Sequence, residues 1–426
     1  MKLSISWRSG CLRWASPFVF LLGAFYYISG EEQLPSSFHG YAPSIVAAPL
    51  VTLYAIAYAI TAALAAWESG RLTSAGIWQL APARSRFRIA ANVLLPVVMT
   101  SWVILLVPPA ISLIRASTFP TLGSLRLPAM ALCLCVAHAV IGFAIGRRTP
   151  RVFAVPIVAI VDFVLVGFTR SVDPYWLRHV SGQYADLSFG EVPAFASIVA
   201  PLLFAGGLAG GVTLLWTPTR SLLARALAAC FVAALGTSTA YHITSDWGHS
   251  PALVGGQAPV TCLGQAPRIC MPTASSTRLP AVRKELLATL ATLRTEGVAA
   301  SPQVIRDRLG EGREYRRSTD ATWYISLTSA AESGTVRYQA AMAAVRFPCR
   351  TVESDPAHAA MLWVASVVGE QKRYSQFLTE QAMSPQETSA NRQIQSVVKS
   401  VLTQPVAKQT AWYKNTLTSA CGGSVR

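Results

Sequence analysis

The sequence predicts an all-α chain: a polytopic transmembrane helix bundle of about seven spans, followed by a mainly helical, disulfide-braced soluble domain. Three observations carry this. Seven long apolar runs fill residues 1–245, each near the roughly 20 residues that a helix needs to cross a bilayer core. Composition changes near Ile243, after which the chain is polar with helical periodicity. Four of the eight cysteines lie in that polar region.

The runs occupy 14–28, 43–67, 89–114, 127–146, 152–168, 192–216 and 222–243, with few or no charges inside. Lys2, Arg8 and Arg13 precede the first run. No small-x-small cleavage site stands before Glu31 and Glu32, so the run reads as an uncleaved anchor. Basic residues in the short connectors set the orientation. With the N-terminus inside, twelve fall on cytoplasmic segments, among them Arg71, Arg84, Arg86, Arg88, Arg147, Arg148 and Arg151. Only four, Arg115, Arg126, Arg170 and Arg178, fall on the opposite side, together with five acidic residues. Seven spans from an inside N-terminus place the C-terminal region outside. The expected location is a bacterial plasma membrane, multi-pass, and arginine outnumbers lysine 30 to 6, the coding bias of a GC-rich genome.

The formal net charge of +16 divides between membrane-flanking loops and a C-terminal region where basic and acidic residues alternate. Neither half has the concentrated basic surface of a nucleic-acid binder, so the expected partner is the lipid bilayer.

Residues 246–278, rich in Gly and Pro, read as a juxtamembrane connector, and 279–426 as the extracytoplasmic domain. Leu279, Val282, Leu286, Leu290 and Leu293 recur at helical steps up to Gly297. Ser301 and Pro302 read as the N-cap and first residue of a short helix through Leu309, and further helices are expected near 357–368, 391–402 and 406–417. The best strand is 322–328. An even number of cysteines on an oxidising side implies disulfides. Three pairings of Cys262, Cys270, Cys349 and Cys421 are open; the local pair Cys262 with Cys270 is preferred, leaving Cys349 with Cys421 to tie back the end of the chain. The seven intervening residues lack the C-x2-C spacing of a zinc site. The region has no HExxH, GxSxG or Walker motif, so no catalytic residue, metal or cofactor is assigned and the chain does not read as an enzyme.

Two ionisable side chains sit inside spans: His138 in the fourth and Asp162 in the fifth. Intramembrane charge is costly and marks transport paths and proton relays. Each lies nine to eleven residues from the basic loop joining the two spans, so they share a depth and suit pairing. Gly206, Gly207, Gly210 and Gly211 form two overlapping GxxxG patterns, suited to close helix contact within the bundle or in a homodimer.

The connector at 66–90 is cytoplasmic and reads as an interfacial amphipathic helix bearing Leu72, Ile77, Trp78 and Leu80, with Arg84, Arg86 and Arg88 facing anionic headgroups. Its residues Glu68, Gly70, Leu72, Leu80, Pro82 and Arg84 resemble the coupling loop of ABC-2 type transporter permeases. That resemblance implies that the loop docks on a separate ATPase subunit, the chain having no Walker motif of its own. It covers about 25 residues, and the seventh span and outer domain depart from the family's six-span layout. The whole layout is similar to permease-like membrane proteins of GC-rich bacteria with an extra C-terminal domain. Two functions are expected: a permease or permease-companion subunit of an ABC-type transporter, or a membrane-anchored extracytoplasmic binding or sensory module with the spans as scaffold.

Overall fold

The computed structural model describes residues 12–31, 40–79, 85–171, 173–184, 187–217, 221–313 and 316–422. The chain divides into two compact units, Met1–Gly255 and Gly256–Arg426.

The first unit is built from helices, because in lipid every backbone N–H and C=O must find its partner within the segment. Among the described residues six helices are long and apolar enough to cross a membrane: α2 (Ala42–Ser74), α3 (Arg86–Arg115), α4 (Leu122–Arg148), α5 (Arg151–Phe168), α7 (Phe195–Leu214) and α8 (Leu222–Thr244). The first expected span forms α1 (Leu12–Glu31), but its apolar stretch is confined to Ala15–Ser29, with Arg13 and Glu31 bounding it in sequence. A short α6 (Trp176–Val180) lies between α5 and α7.

Helix α2 is the axis of this unit. Of its apolar window 78% is buried, against 22% for α5 and 11% for α8, so α2 faces protein while α8 presents Leu223, Leu227, Phe231 and Leu235 outward. Small residues let α2 and α4 touch backbone to backbone. A methyl added at Gly142 would overlap the Ala62 carbonyl, and one at Gly146 would overlap that of Ala66. The contacts advance together along both chains, so α2 and α4 run parallel, which requires α3 to cross between them. Polar bonds fasten the other neighbours: Thr61 Oγ1 lies 2.6 Å from Ser101 Oγ on α3, and Trp102 Nε1 donates to the Leu132 carbonyl of α4 at 3.1 Å. The expected sixth span began at Val192. Instead Val192–Pro193 (β1) pairs antiparallel with Leu253–Val254 (β2), and the helix starts at Phe195, because the extended backbone of that ladder cannot be helical.

The second unit corrects the all-α expectation. It holds a four-stranded sheet in the order β3 (Val260–Leu263), β4 (Arg268–Pro272), β5 (Val304–Asp307), β6 (Thr322–Ile325). The first pair is antiparallel and the other two are parallel. Residues read as connector therefore form the β3–β4 hairpin, which the Cys262–Cys270 disulfide staples directly across the ladder. Residues read as a short helix near 301–309 form β5 instead. There Val304 and Ile305 pair with Thr322 and Trp323 of β6, and Ile305 is fully buried. β-Branched residues with a partner strand on each side outweigh an isolated Ser-Pro cap signal. The strand expected over 322–328 ends at Ile325.

Around the sheet pack α9 (Leu279–Thr295), α10 (Leu327–Ser333), α11 (Val336–Ala344), α12 (Ser354–Val367), α13 (Gln371–Gln381), α14 (Pro385–Leu402) and α15 (Val406–Ser419). Their core centres on Trp323, Trp363, Leu286 and Val398. Trp363 Nε1 donates to Gln409 Oε1 at 3.1 Å, so the indole is buried without an orphaned donor. Cys349–Cys421 joins the segment before α12 to the second residue beyond α15.

Asp307, at the end of β5 and buried, fixes where α10 begins. Its carboxylate accepts from the backbone N–H of Leu309 at 3.1 Å, Leu327 at 3.2 Å and Thr328 at 2.8 Å, and from the Thr328 hydroxyl. Burial pushes its pKa up against the pull of these donors. Asp307→Ala should destabilise the second unit by roughly 3 kcal/mol, because several buried donors lose their acceptor together, and Asp307→Asn by about 1 kcal/mol, because one oxygen remains. Hydrogen exchange of the Leu327–Ser333 amides is the measurement. Wild-type protection in the alanine variant would refute the clamp.

A polar pair inside the transmembrane bundle

His138 stands on α4 and Asp162 on α5, and the structure brings them together: His138 Nδ1 lies 2.8 Å from Asp162 Oδ2, the N–H donating to the carboxylate. Both side chains are largely withdrawn from the surface, at 9% and 14% exposure. A third helix completes the site. Tyr58 of α2 stacks its ring on the imidazole, with centroids 4.8 Å apart and planes within 5° of parallel. Its hydroxyl donates to the Gly182 carbonyl at 3.3 Å. Gly182 has φ +82, and an added Cβ would stand 2.6 Å from Leu134, so only glycine lets this turn approach the bundle.

Beside the pair is a cavity of about 250 Å³, lined mostly by apolar side chains including Ile141, Val158, Leu165 and Leu208, with Ser181 as a further polar group. Among the described residues no third His, Cys, Asp or Glu joins the two to make a metal-binding group. With Nδ1 committed to the carboxylate, Nε2 is the ring nitrogen left for a further partner. A carboxylate that orients an imidazole in this way sets up proton relay or the binding of a polar, cationic solute.

The other predicted positions are dispersed. Glu68 is 3% exposed and ion-paired with Arg71, Nη2–Oε2 2.7 Å, and it packs inside the bundle end rather than on its surface. Gly70 faces Arg151, whose Cβ would be 2.8 Å from an added methyl. Leu72 belongs to α2 itself, not to a separate interfacial helix. Nothing in the sequence stops α2 before Gly76, at φ +66, and Leu72 packs with Trp78 against Phe143 and Trp216. Leu80, Pro82 and Arg84 lie outside the described residues. Arginines at this end lie over indoles: Arg147 over Trp78 at 4.8 Å and Arg151 over Trp67 at 5.1 Å. A Cβ added at Gly207 would stand 3.0 Å from Gly236 Cα, and one at Gly211 2.6 Å from the Ala229 carbonyl, so this GxxxG row seats α7 on α8. A Cβ added at Gly210 would lie 3.4 Å from Val232, while one at Gly206 would meet nothing within 4 Å. Sequence reasoning missed a second row, Gly142 and Gly146 against Ala62 and Ala66 of α2, although it is also a GxxxG. It missed Tyr58 because one tyrosine in an alanine-rich span carries no signal of its own.

Gly142→Val should separate α2 from α4 and abolish recovery of monodisperse protein from detergent, whereas Gly206→Val should be recovered like wild type; size-exclusion chromatography distinguishes the two. Equal recovery would show that the close approach is dispensable. No protein-family model, curated protein or solved structure matches the chain.

Proposed function

We propose that the chain is the membrane subunit of a transporter, in which a proton or small polar cation moves past the His138–Asp162 pair. The observation that carries this is the 2.8 Å contact between two ionisable groups on different membrane-type helices, next to a cavity. Burying such a pair is no aid to stability when apolar residues of similar volume would serve as well, which favours a functional reason for it. In this reading the loop at 66–90 docks a separate ATPase, as the permease resemblance implies. The docking residues are the exposed Arg86 and Arg88 at the start of α3, since Glu68 is turned inward. The protein then lies in a bacterial plasma membrane with its N-terminus cytoplasmic and its second unit outside. The basic residues at the α2, α4 and α5 ends and the two disulfides support that placement.

A second reading, an anchored binding or sensory module, draws support from the separate core and disulfides of the second unit.

In proteoliposomes loaded with a pH-sensitive dye, the wild type should carry protons or a coupled cation. Asp162→Asn and His138→Gln should lower the rate at least tenfold while remaining folded. An ATPase should co-purify in mild detergent and be lost on Arg86→Glu with Arg88→Glu. Undiminished flux in both pair variants would sink the transport path, and an absent ATPase would sink the coupling. Sidedness has its own test. In intact cells a membrane-impermeant maleimide should label Cys349 and Cys421 only after reduction; labelling that needs lysed cells would place the second unit inside.

A further inference from the structure

We infer that the second unit carries a binding site for a multiply charged organic anion, in a cavity at the carboxyl ends of β5 and β6. The cavity encloses about 850 Å³. Strands β5 and β6 are parallel, so both carboxyl ends open on one side, and that is where open α/β sheets present their ligand crevices. Arg308 follows directly on β5. Arg317 lies on the approach to β6, and Arg346 and Arg350 follow α11. Four arginines thus line the cavity against a single carboxylate, Asp320.

The arginines divide into two kinds. Arg346 is structural: it donates to the Ser318 carbonyl at 2.7 Å and the Thr319 carbonyl at 3.0 Å, and its guanidinium lies 5.9 Å from the Trp323 ring centroid. It holds the loop that carries Arg317. By contrast, Arg317 and Arg350 are exposed and make no hydrogen bond or ion pair with any described residue, so their planar forks remain available. A guanidinium fork matches phosphate and carboxylate oxygens two at a time. Met342 and Phe347 on the same lining add an apolar wall, which suits an anion attached to a carbon skeleton. An anionic lipid headgroup and a soluble phosphate or carboxylate share this chemistry. The site stands independently of the transport reading, because it uses none of the residues of the bundle.

The test uses the full chain in phosphatidylcholine nanodiscs, titrated calorimetrically with pyrophosphate and with citrate. At least one should bind saturably with a Kd below about 1 mM. Arg317→Gln with Arg350→Gln should weaken that binding at least tenfold, while circular dichroism and both disulfides stay unchanged. Nanodiscs doped with phosphatidylglycerol separate the sources: competition in the wild type but not in the variant identifies a lipid headgroup, and unchanged affinity identifies a soluble anion. Absence of saturable binding by both probes, or equal binding by the variant, would overturn the site.

Discussion

Backbone contact between α2 and α4 is the constraint on which the rest of the first unit depends. Residues four apart lie on one face of a helix. On α2 that face reads Tyr58, Ala62, Ala66, Gly70, and on α4 it reads His138, Gly142, Gly146. The small residues come together first, Ala62 against Gly142 and Ala66 against Gly146. One step back along both rows the same closeness leaves room only for two flat rings face to face, and there Tyr58 stacks on His138. One step forward Gly70 meets Arg151, at the start of α5, the helix that carries Asp162. The depth and partner of the imidazole thus follow from the small residues that share its packing row.

The ends of the bundle follow from charge rather than size. At one end Arg71 is bound by Glu68, while Arg147 and Arg151 lie over Trp78 and Trp67. Each aromatic contact is worth about 1 kcal/mol, and it lets a guanidinium rest at the boundary of an apolar bundle without a counter-charge. At the other end Glu191 is buried; its carboxylate accepts from the Ser188 N–H at 2.7 Å and its carbonyl from the Tyr41 hydroxyl at 3.1 Å, while Arg126 donates to the Pro193 carbonyl at 2.8 Å. The asymmetry counted in the sequence is therefore built into side-chain contacts.

What the sequence made legible was whatever depends on local composition. Long apolar runs, the equal depth of His138 and Asp162 and the two disulfide partners were readable because each needs only spacing along the chain. The sheet of the second unit was not, because β4, β5 and β6 are four or five residues long and their pairing joins segments far apart. Val304 and Ile305 are equally good in a helix turn or a strand until Trp323 and Ile269 stand beside them. The arginine cavity was hidden for the same reason. Arg308, Arg317, Arg346 and Arg350 look like a solvated surface until the parallel strands gather them.

Strand β5 shows how one short segment serves both stability and recognition. Side chains alternate faces along a strand, so Asp307 turns inward while its neighbour Arg308 stays at the surface. The inward carboxylate binds the start of α10 and so fixes the turn that leaves β6 at Ser326, which lines the cavity. Loosening that clamp would blur the cavity wall without removing any arginine. Removing Arg317 and Arg350 would take away the two exposed arginines of the cavity that make no hydrogen bond or ion pair with any described residue, without touching the core. The fold thus keeps the groups that shape the cavity apart from the groups that would contact an anion, and the two can be varied separately.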